Sequence, residues 1–457
     1  MAASVAEREN PKGSIPRRLA SLAWPIIGVN VLNVLALAVD TAMIGRSHLA
    51  ETALTGLGFA TQVIFLLMVL MLGLTVGTVA FVARAHGAGQ RERVDHILAQ
   101  SSQLTVLLGI GIAVLGNLFA PAILTALGAG PEAGEAGLAY LRPLLTCSVF
   151  YYLNILYAAV LRGVGDTRSA FAIALVMNLL NVVFNYGLIL GNYGLPAMGI
   201  AGAAWGTAAA QVCSVVLYVI LLARGWRGIS FSLRPRAIDA PLARDLIRVG
   251  TPAALDMLVL NVGFLSIVGM LGRYDEIAVA AHGIGLRIQA LAFVPGMSIS
   301  QATGALVGNA LGAKDVDQAR AIARASMAMC FTVMVSLCIL IVAVSVPTVR
   351  LFDVDPASPL GLYSLTWIKI LAICMLPVGI YIGLVGVFQG SGATRLSLRI
   401  NLIATLAQIP ISWLLGFPLG MGAFGIWAGF PVAFVLKMLM GVVEYKRGSW
   451  ARVGARA

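Results

Sequence analysis

The sequence predicts an all-α integral membrane protein, with twelve transmembrane helices in two six-helix bundles related by pseudo-twofold symmetry. Composition, segment length and an internal repeat support this prediction. Of the 457 residues, 60% are hydrophobic and 11% are charged, whereas soluble chains carry about 25% charged residues. The apolar residues form blocks of about twenty or more, long enough to cross a hydrocarbon core of roughly 30 Å. Helices are expected because they satisfy their own backbone polar groups in lipid.

Twelve apolar blocks follow one another along the chain, and each is predicted to be one span. In order, they are Leu19–Ile44, Thr52–Val82, Val94–Phe119, Ala136–Leu161, Ser169–Leu190, Met198–Ala223, Leu242–Leu271, Ala278–Val307, Ala319–Val346, Leu362–Phe388, Leu396–Leu415 and Ala423–Val443. The predicted domains are therefore a polar N-terminal segment (1–18), an N-lobe (19–223), a basic cytoplasmic linker (224–241), a C-lobe (242–443) and a basic cytoplasmic tail (444–457).

The basic residues are unevenly distributed between the connections. Most of the 31 Lys and Arg lie in alternate connections and in the terminal segments, and the intervening connections contain only Arg46, Arg273 and Arg350. This positive-inside pattern predicts that both termini are cytoplasmic and that the number of spans is even. The same pattern accounts for the net charge of +12, so we do not interpret this charge as a sign of nucleic-acid binding. We expect a monomer in the cell inner (plasma) membrane whose partners are the lipid bilayer and a small-molecule substrate.

The second half of the chain repeats the first at an offset of 227 positions. Matching pairs include Pro25 and Pro252, Gln62 and Gln289, Cys147 and Cys374, and Arg168 and Arg395. Because each repeat has an even number of helices, both halves have the same orientation, and the symmetry axis should run along the membrane normal. A cavity between two such bundles could open to either side by rocking. The repeat therefore favours a transporter over a channel.

An acidic residue lies inside the first predicted span, near its outer third. Asp40 follows Pro25 by fifteen residues, and its counterpart in the second half is Ile267. A carboxylate within a span costs about 2.5–3.5 kcal/mol on insertion scales, so it usually faces a cavity or a partner and marks an ion path. Because the second half has no acid at this position, the repeat itself does not require one. The alternative is an acid near a helix end that meets interfacial water.

Three asparagines in the fifth predicted span share one helix face. Asn178, Asn181 and Asn185 are spaced i, i+3, i+7. Their amides could bind a cation or form a hydrogen bond with a protonated acid. The second half is also polar at the matching positions, which are Thr405, Gln408 and Ser412. Interhelical hydrogen bonding alone is therefore an alternative explanation.

Further polar residues within the spans are candidates for a substrate cavity. They are Asn154, Tyr157, Asp256, Asn261 and Arg287. Three of them have an alternative: packing or an interfacial position for Tyr157, hydration near the cytoplasmic end for Asp256, and snorkelling for Arg287. The sequence contains no GxxxxGK[ST] phosphate loop and no HExxH zinc motif. We therefore expect neither an enzyme nor a cofactor.

Several short strings, in their order and duplication, resemble the multidrug and toxic compound extrusion (MATE) family over essentially the whole chain. They are DTAMIG, ARAHGAGQ, LRGVGDTR and GIAGAAWGT in the first half, with VGNALGAKD and FQGSGATR as echoes in the second. Asp40 within DTAMIG resembles the DNA-damage-inducible branch, whose members are usually proton-coupled. The resemblance implies an antiporter that exports organic, cationic or amphipathic compounds while protons or sodium ions enter.

The resemblance also implies an ion site in the N-lobe. By matching strings, its residues are Asp40, Asn181 and Thr207. Our own hypothesis is that protonation of Asp40 lets the first helix bend at Pro25, which acts as a hinge. The family's second carboxylate falls at Asn185, which is an amide here. This departure removes one negative charge, so we expect H⁺ as the coupling ion, with Na⁺ at Asp40 and Asn181 as the alternative. A lipid-linked precursor flippase of the same superfamily is a second alternative, and a channel or membrane scaffold is a third.

Overall fold

A computed structural model of the chain describes residues 14–45, 50–226, 229 and 237–455. Its helices are α1 (Ile15–Ile44), α2 (Ala50–Gly87), α3 (Arg91–Ala126), α4 (Pro131–Thr146), α5 (Ser148–Gly163), α6 (Thr167–Leu190), α7 (Gly199–Ala223), α8 (Ala240–Tyr274), α9 (Glu276–Gly312), α10 (Val316–Ala343), α11 (Ser345–Leu351), α12 (Pro359–Gly390), α13 (Thr394–Gly416), α14 (Gly422–Arg447) and α15 (Ser449–Ala455). Within the described ranges, eleven helices are long and apolar enough to cross a membrane, and the number is twelve when the bent pair α4–α5 is counted as one span. The all-α prediction of twelve spans is thereby confirmed.

Two predicted spans differ in detail from the helices observed. The predicted span Ala136–Leu161 is two helices, α4 and α5, which meet at a bend of 59°. The start of α5 contacts α3 closely: Ser148 Oγ donates to the Gly109 carbonyl oxygen at 2.8 Å, and a Cβ on Gly109 would lie 2.7 Å from Val149 Cα. The predicted span Ala319–Val346 ends earlier, at the end of α10, and its last residues belong to the short helix α11.

The chain forms two compact units. The N-unit is Gly28–Gly250, and the C-unit is Thr251–Ala457 together with the part of α1 that precedes Gly28. The units thus divide inside α1 and α8, close to Pro25 and Pro252, and not at the predicted linker 224–241, much of which lies outside the described residues. The buried clusters explain this division.

Helices α1 and α8 are each divided between the two units. The first part of α1 is buried in the C-unit, and the first part of α8 is buried in the N-unit. Leu19 and Ile26 of α1 belong to a buried cluster with Ile299 of α9, in the C-unit. Leu242 and Leu246 of α8 belong to the buried cluster of the N-unit. In both units, by contrast, other apolar side chains remain exposed, with Leu118 of α3 67% and Leu265 of α8 64% exposed. Such side chains suit contact with hydrocarbon better than contact with water.

Glycines allow the backbones of α8 and α2 to approach closely within the N-unit. A Cβ on Gly250 would collide with the Gly73 carbonyl, and a Cβ on Gly77 would lie 2.7 Å from the Leu246 carbonyl oxygen. Small residues at helix crossings permit such contact between backbones in membrane proteins.

We expect Gly250→Ala to destabilise the protein by about 1–3 kcal/mol, because the added methyl group meets rigid backbone. The measurement is the fraction of monodisperse protein that survives heating in detergent. Gly269→Ala is the matched control, since a Cβ at this position on the same helix meets open space. Equal surviving fractions for the two variants at every temperature would contradict the close approach of α8 to α2.

Candidate functional site

The side chain of Asp40 is buried, and it forms a hydrogen bond with a residue of α6. Asp40 is 8% exposed, and Asn185 Nδ2 donates to its Oδ1 at 2.6 Å. A second close contact between the same two helices lies further towards the start of α1, where Gly28 lies so close to Phe171 that a Cβ would collide with its ring. Hydrogen bonds to an ionised carboxylate are shorter and stronger than neutral ones. The contact with Asn185 places this acid against protein and not at an exposed helix end.

A chain of polar side chains extends from Asp40 through α6 to α7. Asn185 Nδ2 lies 3.4 Å from Asn181 Oδ1, and Asn181 Nδ2 donates to Thr207 Oγ1 at 3.0 Å. Asn185 is fully buried, and among the described residues its Oδ1 has no hydrogen-bond partner. The network thus contains one carboxylate and one unused buried acceptor beside it. We call Asp40, Asn185, Asn181 and Thr207 the N-unit network.

The third asparagine of the predicted face is oriented differently. Asn178 is buried, and its Nδ2 donates to the Ala174 carbonyl oxygen of its own helix at 2.8 Å. The structure therefore brings two of the three predicted amides, Asn181 and Asn185, into the network with Asp40. Thr207, which only the family resemblance indicated, is its fourth member.

The two N-unit candidates for a substrate cavity lie in other surroundings. Asn154 accepts a hydrogen bond from Ser214 Oγ at 3.1 Å, and its Nδ2 donates to Gln211 Oε1. Tyr157 is 2% exposed and packs against Tyr218, with ring centroids 6.0 Å apart. Sequence reasoning did not identify Gln211 or Ser214, although both are polar residues inside the sixth predicted span.

The C-unit contains a second buried acid with an amide partner. Asp256 of α8 is 5% exposed, and it accepts hydrogen bonds from Ser397 Oγ at 2.7 Å and from Asn401 Nδ2 at 2.5 Å. Lys437 of α14, 3% exposed, interacts with it electrostatically. Sequence reasoning missed all three partners. Lys437 could have been found, because a lysine inside an apolar span is as unusual as the acid at Asp40.

The acid–amide pairs of the two units are similar but occur at different heights along their helices. Asp40 and Asn185 are 145 residues apart, and so are Asp256 and Asn401. In the repeat, however, Asp40 corresponds to Ile267, eleven residues beyond Asp256. Eleven residues correspond to about 16 Å of helix. In each half, therefore, an acid of the first span accepts a hydrogen bond from an amide of the fifth span. Relative to the repeat, the C-unit pair lies about three helical turns earlier along its helices than the N-unit pair.

The remaining candidates in the C-unit do not join the Asp256 pair. Arg287 is exposed, and its guanidinium carbon lies 5.8 Å from the centroid of the Phe352 ring, a cation–π geometry. Asn261 of α8 is half-buried. Within the described residues, no three His, Cys, Asp or Glu side chains converge as a metal site.

The comparison with family models gives one result for both halves of the chain. The MatE model matches residues 25–187 and again residues 252–414, so each half matches over the same stretch of the repeat. Together the matches cover well over half of the chain.

Curated relatives and solved structures match over nearly the whole length. The probable multidrug resistance protein NorM of Thermotoga maritima is 27% identical over 450 residues, covering 97% of this chain and 95% of the relative. The multidrug resistance protein PmpM of Pseudomonas aeruginosa is 27% identical over 444 residues, covering 95% and 91%. A crystal structure described as MATE in the bent conformation aligns with a TM-score of 0.88 at 22% identity, covering 97% and 98%. That last likeness shows the fold.

Proposed function

The chain belongs to the MatE family, whose members are transporters and not enzymes, and on that premise we propose that it exports small amphipathic or cationic organic compounds in exchange for protons. The observation that carries the proposal is the buried hydrogen bond between Asp40 and Asn185. The relatives named as multidrug resistance proteins support the class of substrate. A plasma-membrane location with cytoplasmic termini and membership of the DNA-damage-inducible branch are part of the same proposal.

The N-unit network provides a means of responding to a proton. An ionised Asp40 can only accept, and Asn185 donates to it. A protonated Asp40 becomes a donor, and the buried Asn185 Oδ1, without a partner among the described residues, is an acceptor beside it. Proton binding would therefore exchange one hydrogen bond between α1 and α6 for another. The proton can shift the equilibrium between two conformations of the transporter only to the extent that it binds one conformation more tightly than the other.

Pro25 is proposed as the hinge that responds to this change. Proline removes a hydrogen bond from a helix interior and favours a kink. Pro25 lies close to the point where α1 passes from the C-unit to the N-unit, and the Asp40 end of α1 lies in the N-unit. A change in the hydrogen bonds of Asp40 would thus move the part of α1 beyond the proline. Alternating access requires such a movement.

Two alternatives have less support. Na⁺ could bind Asp40, Asn181 and Thr207 through oxygen atoms, but the network supplies only one negative charge. A flippase for lipid-linked precursors would be favoured by several cations in one cavity, whereas Arg287 is exposed and contacts Phe352.

Gly206 of α7 leaves the space that the Asn185 side chain occupies, which gives a test of the network. A Cβ at Gly206 would overlap Asn185 Oδ1. We expect Gly206→Ala to displace the amide from Asp40 and to lower efflux of a fluorescent cation from everted vesicles at least tenfold. Gly111→Ala is the matched control, because a Cβ there meets open space. Efflux from the Gly206 variant equal to that of this control would argue against the network.

The experiment that tests the function is proton counterflow in liposomes that contain the purified protein. An antiporter releases or takes up protons when a substrate such as ethidium moves in the opposite direction. We expect substrate-dependent counterflow that stays the same when K⁺ replaces Na⁺. A channel or a scaffold gives no substrate-dependent proton movement, and that result would reject the proposal.

A further inference from the structure

Two arginines on neighbouring helices of the C-unit bind the same buried carboxylate. Arg399 of α13 donates from Nη2 to Glu444 Oε1 at 2.5 Å, and Arg447 of α14 donates from Nη1 to the same oxygen at 3.0 Å. The Glu444 side chain is only 9% exposed, whereas those of Arg399 and Arg447 are 52% and 66% exposed. One buried acid therefore holds two guanidinium groups close together at the protein surface. We call these three residues the arginine cluster.

The arginine cluster has positive charge and hydrogen-bond donors in excess of what its own acid uses. Two guanidinium groups face one carboxylate, and each has five N–H donors, one of which bonds to Glu444. Arg395, one turn before Arg399 on α13, is a further exposed cation. Guanidinium groups bind the oxygen atoms of phosphate bidentately. The cluster therefore suits a phosphate group that carries no neighbouring positive charge.

An exposed apolar stripe begins beside Arg399 and continues along α13. Leu402, Ile403 and Leu406 follow the arginine at i+3, i+4 and i+7, which places them on the same helix face. All three are exposed, and Leu406 is 62% exposed. The side chain at the head of this stripe is thus cationic, and the rest of the stripe is apolar.

A similar stripe runs along α14. Arg399 lies near the start of α13 and Arg447 at the end of α14, so the two helices are antiparallel where the cluster joins them. Val443 and Leu439 precede Arg447 by four and eight residues, and they are 47% and 54% exposed. Both stripes therefore lead away from the arginine cluster towards the middle of the two spans. A cationic head with two apolar stripes beside it matches a phospholipid, whose phosphate group is followed by two acyl chains.

The repeat does not account for the arginine cluster. At the offset of 227, the positions that match the cluster are apolar in the N-unit. They are Ala172, Leu217 and Ile220. Because the shared architecture does not need these charges, they indicate a role that is specific to the C-unit.

We propose that the arginine cluster binds the headgroup of an anionic phospholipid, with the phosphate on Arg399 and Arg447 and the acyl chains against the exposed stripes of α13 and α14. Glu444 is a positioning residue. It orients both guanidinium groups and leaves one net positive charge, which one phosphodiester neutralises. Arg395 disfavours a headgroup that contains an ammonium group, such as choline. The inference goes beyond the proposed function and depends neither on transport nor on proton coupling.

The first test measures lipid binding to the unaltered, full-length protein after its lipids have been removed in detergent. Native mass spectrometry resolves the first bound lipid, and phosphatidylglycerol is compared with phosphatidylcholine of the same acyl chains. We expect phosphatidylglycerol to bind at least about fivefold more tightly. Equal affinities would overturn the proposal. Displacement of phosphatidylglycerol by millimolar glycerol phosphate would also overturn it, because it would indicate a site for small phosphates and not for a lipid.

The second test assigns the preference to the arginine cluster. A variant with Arg399→Gln, Glu444→Gln and Arg447→Gln removes the buried acid together with its partners, so that no unpaired charge stays buried. We expect its preference for phosphatidylglycerol to fall below twofold. A preference as large as that of the unaltered protein would overturn the assignment.

The matched control makes the same three changes in the N-unit. Arg91, Glu92 and Arg93 are exposed residues at the start of α3, and replacing all three with Gln removes the same charges. This control should keep the preference of the unaltered protein. An equal loss in the control would overturn the assignment, since any basic end of a span would then serve.

Glu444→Gln alone tests the cluster in the opposite direction. The oxygen of the new amide still accepts from Arg399 and Arg447, but the negative charge that competes with phosphate is gone. We expect phosphatidylglycerol to bind at least about twofold more tightly to this variant, and the result decides the matter if the triple variant does not fold. Equal or weaker binding would overturn the proposal, because a purely structural cluster gains no affinity for lipid from this change.

Discussion

Replacing Asp40 with Asn is expected to reduce proton-driven efflux to the level of vesicles without the protein. The substituted amide keeps the size and most of the hydrogen-bonding capacity of the carboxyl group, so the contact with Asn185 can persist and the protein should insert and fold. What it cannot do is exchange a proton. Efflux of a fluorescent cation from everted vesicles measures the loss, and we expect at least a hundredfold decrease in the initial rate.

The control for Asp40→Asn is the same substitution at an acid with a structural role. Asp275 accepts a hydrogen bond from the Ile277 backbone N–H at 2.9 Å as the N-cap of α9. Replacing such a cap is expected to cost no more than about 1 kcal/mol of stability and to leave efflux near the wild-type rate. Wild-type efflux by the Asp40 variant, at equal membrane content, would remove Asp40 from the coupling mechanism.

Replacing Asn185 with Asp is expected to make transport depend on Na⁺. The variant places a second carboxylate within hydrogen-bonding distance of Asp40, beside Asn181 and Thr207. Hard monovalent and divalent cations are bound by oxygen ligands, and affinity rises with the number of charged ones. We expect transport by the variant to increase at least fivefold when Na⁺ replaces K⁺, whereas wild-type transport is insensitive to this change.

Asn178→Asp is the matched control, because it adds the same charge to the same face of α6. The Asn178 amide contacts the backbone of its own helix and not the N-unit network, so its variant should gain no Na⁺ dependence. Na⁺-dependent transport by the wild-type protein would contradict the choice of the proton. An Asn185→Asp variant indifferent to Na⁺ would show that the network cannot hold a cation.

The sequence predicted the architecture because the length of each apolar span and the repeat of the first half in the second can be identified from the order of residues alone. It could not predict where the compact units divide. Leu242 and Leu246 look like any apolar residues of an α8 that belongs to the second half, yet they are buried in the N-unit. Nor could it predict the bend between α4 and α5, because hydropathy does not distinguish a straight span from one that bends beside Gly109.

In the candidate sites, the sequence was informative where one unusual residue stood out. Asp40 and the amide face of α6 were found because polar groups are costly in spans, and the structure brings Asp40, Asn181 and Asn185 together. The partners of Asp256 were missed for a different reason. The repeat pairs Asn185 with Ser412, so it gave no indication that the C-unit amide lies eleven residues earlier, at Asn401. Contacts between helices depend on rotation and height, which periodicity alone does not give.

The most direct test of the account is a count of the protons released when substrate binds. A pH-sensitive dye in weakly buffered detergent solution reports this number for the wild-type protein and for Asp40→Asn. Exchange at a single carboxyl predicts about one proton per bound substrate for the wild type and none for the variant. Equal proton release from the two proteins would contradict the assignment of the exchange to Asp40, and so would the absence of release from the wild type at every pH.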